Sequence, residues 1–237
     1  MFTVKNRRSL GQILFEMASL YGISQQLGRV PAINRGGGVW DTVTREVTQY
    51  FPVFGAKICV HTKQSDIKDL ILSKPSDPIF TRGATDYLVK KYSTPGKRAT
   101  VAVLGNDPLW TQNLFHDKIG KSNYFNKFND SSDSIFSTET LDYMVLLTLG
   151  ISPIDDMAFS RNFCDVVLLT APTSSMGWWL AYLAKDGAEV FYRDPKEAPD
   201  QFFAEMRQPD FYPNSWNKLR SSRFGLKKTE NPEIPKL

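Results

Sequence analysis

Apolar positions at Leu10, Ile13, Leu14, Met17, Leu20, Tyr21 and Ile23 recur with the 3.6-residue period of a helix. They predict a helix over Leu10–Leu27, with Ser9 as its N-cap and Gly28 as its stop. A glycine run, Gly36-Gly37-Gly38, breaks the pattern, and a short helix carrying Trp40, Val43, Val47 and Phe51 follows. From there short apolar runs alternate with helical periods. Strands are predicted at Lys57–His61, Ala99–Leu104, Ser134–Ser137, Asp165–Thr170 and Glu189–Tyr192. Helices are predicted at Thr81–Tyr92, Pro108–Ile119, Thr138–Leu149, Ile154–Asn162 and Ser174–Leu183. The segment Lys121–Ser134 reads as a surface loop, and the polar stretch beyond Lys218 as a mobile tail.

Strands that are apolar throughout are covered on both faces, and their alternation with helices predicts an α/β fold, a Rossmann-like parallel sheet flanked by helices. The expected division is an N-terminal part at 1–55, an α/β domain at 56–219 and a polar tail at 220–237. Ligands of such sheets bind beyond the carboxyl ends of the strands. Chemistry is therefore expected after His61, after Leu104 and after Thr170.

Composition changes this picture little. The 237 residues are 41% hydrophobic and 23% charged, with a formal net charge of +4. That is ordinary for a globular domain large enough to bury its own core. The densest basic spots, Lys5/Arg7/Arg8 and Arg220/Arg223/Lys227/Lys228, lie near the ends and read as solvated, so no nucleic-acid partner is expected. No run approaches the roughly 18 apolar residues of a membrane span, and no secretory signal pattern is visible at the start. Cys59 and Cys164 sit in apolar strand-like runs and read as buried free thiols, to be bridged only if the two strands lie close together. With two histidines, His61 and His116, and no Cys/His pattern, no metal site is expected.

Each strand end offers candidate residues beside a plainer account. His61-Thr62-Lys63-Gln64-Ser65-Asp66 could bind an anion and orient a hydroxyl, or could be a capped turn. Asn106 and Asp107 could cap the helix starting at Pro108, or could meet a ribose or base. Thr173-Ser174-Ser175-Met176-Gly177 places hydroxyl residues between a buried strand and a helix N-terminus, where N–H groups suit phosphate. Asp155-Asp156 read as caps of the helix after Pro153. The glycine run lacks the Lys-Ser/Thr of a P-loop and the spacing of a dinucleotide fingerprint. Asn129-Asp130-Ser131 is a glycosylation triplet.

In order along the chain, these blocks resemble glycosyltransferase family 11, the galactoside α-1,2-L-fucosyltransferases, and in particular its nematode-like members. Ser9-Leu10-Gly11-Gln12-Ile13-Leu14-Phe15-Glu16 is similar to the family's GLGNQLFE. Val60-His61-Thr62-Lys63-Gln64-Ser65-Asp66-Ile67 falls on its V-H-x-R-R-G-D-F. Asn106-Asp107 with Trp110 falls on a further block, as do Asp156-Met157-Ala158 through Cys164-Asp165. Ser174-Ser175-Met176-Gly177-Trp178-Trp179-Leu180-Ala181-Tyr182-Leu183 and Asp210-Phe211-Tyr212-Pro213 with Trp216 complete the series.

The resemblance implies a GT-B glycosyltransferase whose N-terminal half is truncated here. It implies fucosyl transfer from GDP-fucose to O2 of a terminal β-galactoside, inverting and metal-independent, with no cofactor beyond the donor. Nucleotide-sugar binding then falls to His61, Lys63, Gln64, Asn106, Asp107, Asp156, Ser174, Ser175, Met176 and Gly177, and Asp66 becomes the catalytic candidate. It also implies the lumenal side of the Golgi membrane, reached through an anchor this chain does not carry. Two departures bear on activity: Lys63 and Gln64 stand where the family has arginines, and Lys is a point charge while Gln is no cation. A catalytically inactive relative that binds nucleotide sugar or glycan, or partners an active enzyme, is the alternative.

Overall fold

A computed structural model describes Gly11, Leu14, Phe15, Ala18 and residues 55–64, 73–118, 143–147, 152–222 and 225–229. The glycine run, the helix predicted around Trp40–Phe51, the 121–134 loop, the Ser134–Ser137 strand, the Asn129 triplet and Asp66 lie outside these residues. Of the first predicted helix, Gly11, Leu14, Phe15 and Ala18 are helical.

The described elements run β1 (Lys57–Thr62), α1 (Pro78–Tyr92), β2 (Thr100–Gly105), α2 (Pro108–Leu114), β3 (Met144–Leu147), α3 (Pro153–Phe163), β4 (Val166–Leu169), α4 (Ser175–Tyr182) and β5 (Glu189–Arg193). A 3₁₀ turn (Pro195–Glu197), α5 (Gln201–Glu205), α6 (Gln208–Phe211), β6 (Asn217–Ser222) and β7 (Gly225–Thr229) follow. The seven strands form one sheet in the order β3-β2-β1-β4-β5-β6-β7. β1 through β6 are parallel and β7 runs antiparallel to β6. From β1 the chain steps outward to β2 and β3, then returns to β4 on the other side of β1. The strand order thus reverses between β1 and β4, the place where ligands of open α/β sheets bind.

Pleating sends alternate residues of each strand to opposite faces. Ile58 and Val60 of β1 join Phe80, Ala84 and Leu88 of α1 in one core; Cys59 joins Phe159 and Cys164, and Leu180 of α4, in the other. His61 shares the Cys59 face and so looks toward α4. The helices begin where the sequence supplies a cap. Asp77 accepts from Phe80 N and Asp107 from Trp110 N, with proline at the first turn of each helix. α3 opens with a capping box in which Ser152 is the cap and Asp155 the N3 partner, so the acidic pair Asp155-Asp156 lies inside the first turn.

Four expectations are corrected. The predicted helix Thr138–Leu149 contains a strand instead, Met144–Leu147, paired in register with Thr100–Val103. A short apolar run has no period of its own, and the open edge of β2 decides its form. The stretch beyond Lys218 belongs to the sheet, which runs through β6 and β7 past the boundary expected at 219. Leu219 is fully buried there, and Arg220, though exposed, pairs with Asp194 at 2.6 Å, so this arginine belongs to the sheet and not to a tail. Finally, Cys59 and Cys164 are not free thiols: they form a disulfide that links β1 to the end of α3, with both residues fully buried.

Candidate functional site

The carboxyl ends of β1, β2 and β4 meet the N-terminus of α4 at the point where the strand order reverses. At the end of β1, the Lys63 backbone N–H donates to Ser76 Oγ at 2.9 Å, and Lys63 Nζ donates to Ser73 Oγ at 3.0 Å. Ser76 Oγ lies 2.6 Å from Thr170 Oγ1, which donates to the His61 carbonyl at 2.8 Å. The segment 73–76 is thereby stitched to the ends of both β1 and β4, and the Lys63 ammonium is held at that seam.

Gln64 and Asn106 form a reciprocal pair. The Gln64 backbone N–H donates to Asn106 Oδ1 at 2.8 Å, and Asn106 Nδ2 donates to the Gln64 carbonyl at 2.6 Å. This extends the β1–β2 pairing by one side-chain step. Asn106 therefore does not cap α2; Asp107 does so alone. The Gln64 side-chain amide turns back and donates to the Ser76 carbonyl at 3.2 Å.

The third strand end leads into α4. Ser174 is its N-cap and accepts from Gly177 N at 3.2 Å. Ser175, Met176 and Gly177 form the first turn, so the partial positive charge of the helix end lies at the carboxyl edge of the sheet. Thr173 donates its hydroxyl to Asp200 Oδ2 at 2.5 Å. Two glycines permit close approaches here. A Cβ on Gly177 would lie 2.7 Å from His61 Nδ1, and a Cβ on Gly11 would lie 2.6 Å from Met176 N. The N-terminal helix thus reaches the first turn of α4, and its Phe15 packs on Trp178, Trp179 and Phe211.

His61 is buried, and its Nδ1 has no hydrogen-bond partner among the described residues. Burial, with the nearby Lys63 charge, pulls its pKa down to about 4, so the ring is neutral at pH 7. A neutral imidazole packed under Gly177 adds no positive charge to the site; among the described residues Lys63 and the α4 terminus supply it.

The structure therefore gathers His61, Lys63, Gln64, Asn106, Ser174, Ser175, Met176 and Gly177 at one edge. Asp107 serves the start of α2, and Asp156 lies buried in the first turn of α3. Sequence reasoning missed Ser73, Ser76 and Asp200. Asp200 stands before Gln201-Phe202-Phe203 as a readable N-cap, and accepts from Phe203 N at 2.8 Å. Nothing local in the sequence shows that its second oxygen reaches Thr173, 27 positions earlier. Among the described residues no group of three or more His, Cys, Asp or Glu side chains could hold a metal ion.

No protein-family model matches the chain, and no solved structure matches it. Curated sequences do. A Caenorhabditis elegans protein named galactoside 2-alpha-L-fucosyltransferase is 43% identical over 169 residues, which is 71% of this chain and 42% of that protein. A second protein of that name from the same organism is 31% identical over 71% of this chain and 41% of its own length. A putative glycosyltransferase from C. elegans is 27% identical over 70% of this chain and 42% of its own length. The chain matches well under half the length of each of these relatives. Their names support a fucosyltransferase, within the glycosyltransferases, as the family to which this α/β chain is related.

Proposed function

We propose that this chain carries the donor-binding part of a galactoside α-1,2-fucosyltransferase, taking GDP-fucose as donor and a terminal β-galactoside as acceptor. The observation that carries the reading is that the end of β1, which carries Lys63, is tied through Ser76 and Thr170 to the end of β4, which leads into the α4 N-terminus, at the strand-order reversal. A diphosphate seated there meets one full cation and the N–H groups of a helix end, both of which stabilise negative charge. In the reaction, O2 of the galactoside attacks the anomeric carbon of fucose from the face opposite GDP, the C–O bond to the diphosphate breaks, and configuration inverts. The acceptor hydroxyl loses its proton to a base, for which Asp66 is the candidate. Charge accumulates on the departing diphosphate, so cations and dipoles fixed beside it lower the barrier more than they stabilise bound donor. No metal is assigned a part in this reading. The proposed location is the lumenal side of the Golgi membrane; the buried Cys59–Cys164 bridge supports it, because disulfides persist in oxidising compartments.

A second reading, binding without catalysis, is favoured by Gln64. Its uncharged amide is spent on the Ser76 carbonyl instead of adding a second cation. Removing one such electrostatic stabiliser can cost about two to three orders of magnitude in rate. GDP release measured with GDP-fucose in the presence and absence of a β-galactoside separates the two. Acceptor-dependent release supports transfer. Donor binding with no release above the uncatalysed background contradicts it and leaves the binding role.

A further inference from the structure

We infer that Asp200 is a positioning residue for this edge of the sheet, coupling the loop that enters α4 to the segment that holds Lys63. The inference rests on the donor-site reading above. Asp200 is 9% exposed, and its two oxygens have separate tasks. Oδ1 caps α5 by accepting from Phe203 N at 2.8 Å. Oδ2 accepts twice, from Thr173 Oγ1 at 2.5 Å and from Lys74 N at 3.0 Å. Thr173 immediately precedes Ser174, the cap of α4. Lys74 immediately follows Ser73, the acceptor for Lys63 Nζ. One buried oxygen therefore joins the two parts that supply positive charge to the proposed diphosphate site. Helix capping requires only Oδ1 and leaves this double acceptance unexplained. A carboxyl side chain suits it, because both of its oxygens can accept, whereas an amide offers one acceptor and one donor.

Asp200→Asn separates the two tasks. The asparagine keeps one carbonyl oxygen for the α5 cap and puts an NH₂ where two donors need an acceptor. The full chain, wild type and Asp200→Asn, is titrated with GDP-fucose by calorimetry, and amide hydrogen exchange is followed in peptides spanning 73–77 and 172–178. The expected result is a donor Kd raised about tenfold or more. Exchange should accelerate about tenfold in both peptides together, with that of β1 and β2 unchanged. Thr173→Val removes only the hydroxyl arm and should accelerate exchange in 172–178 alone, with a smaller loss of affinity. Faster exchange confined to residues 200–206 with an unaltered Kd overturns the inference. Should Asp200→Asn not fold, Thr173→Val decides: unchanged exchange and Kd overturn it. If the wild type itself does not bind GDP-fucose, the donor-site reading fails, and joint acceleration of the two peptides or its absence still upholds or overturns the coupling.

Discussion

At the end of β1 a neutral imidazole lies against a residue that has no side chain. The His61–Gly177 contact makes the histidine a pH-sensitive part of the fold. Its folded-state pKa, about 4, is below the 6.5 of an unperturbed histidine, so the unfolded chain takes up the proton first as pH falls. The stability linked to His61 is therefore complete above about pH 6.5 and declines through to about pH 4, where the folded ring also protonates. At 1.36 kcal/mol per pH unit this amounts to roughly 3 kcal/mol. Urea unfolding of wild type and His61→Asn at pH 7 and pH 4.5 should show a larger acid-induced loss in the wild type. Equal losses would mean that the imidazole is not buried in its neutral form. At this scale the sequence was partly legible. His61, Lys63 and Ser174–Gly177 stand out because they follow apolar runs and precede a helix start. Ser73, Ser76 and Asp200 do not, because their roles arise from contacts between segments 10 to 126 positions apart.

Among the elements, strands buried on both faces and the helix starts at Asp107-Pro108 and Ser174 could be read directly, whereas the sequence reading begins α1 at Thr81 and α3 at Ile154, inside their starts at Pro78 and Pro153. Ile58–Val60, Val101–Leu104 and Val166–Leu169 are continuous apolar runs, and Asp77, Asp107, Ser152 and Ser174 cap their helices with side-chain oxygens. The edges of the sheet were not legible. Met144–Leu147 is too short to show a period, and β6 is polar except for Leu219. β6 is paired with both β5 and β7 but lies next to the edge, where less is buried than at the centre of the sheet, so its composition resembles that of a tail. Leu219 distinguishes the two accounts. It is fully buried beside Phe191 in the core under α1, so Leu219→Ala should cost about 2–5 kcal/mol in a urea denaturation series. A change within about 0.5 kcal/mol would indicate a solvated tail.

For the whole molecule, the arrangement that matters is a sheet whose strand order reverses at β1 and β4, with a disulfide tying β1 to the end of α3 just before β4. The Cys59–Cys164 bridge spans 105 positions and constrains the unfolded chain over that length. In the loop-entropy account a bridge of this reach stabilises by about 3–5 kcal/mol. The double variant Cys59→Ala/Cys164→Ala should lose stability on that order, measured by denaturant midpoint under non-reducing conditions. An unchanged midpoint would show that the bridge contributes nothing. Periodicity could place each cysteine in a buried run but not beside the other, since strand order is a property of the assembled sheet. The same assembly sets the end of β1, with Lys63, beside the end of β4 that leads into α4, and on that juxtaposition the donor-site proposal stands. Calorimetric titration of the full chain with GDP-fucose tests it most directly. The account predicts saturable one-site binding, weakened at least tenfold in Lys63→Ala and tighter than binding of sugar nucleotides with other bases and sugars. No heat of binding, or equal affinity for unrelated sugar nucleotides with Lys63→Ala unaffected, would contradict it.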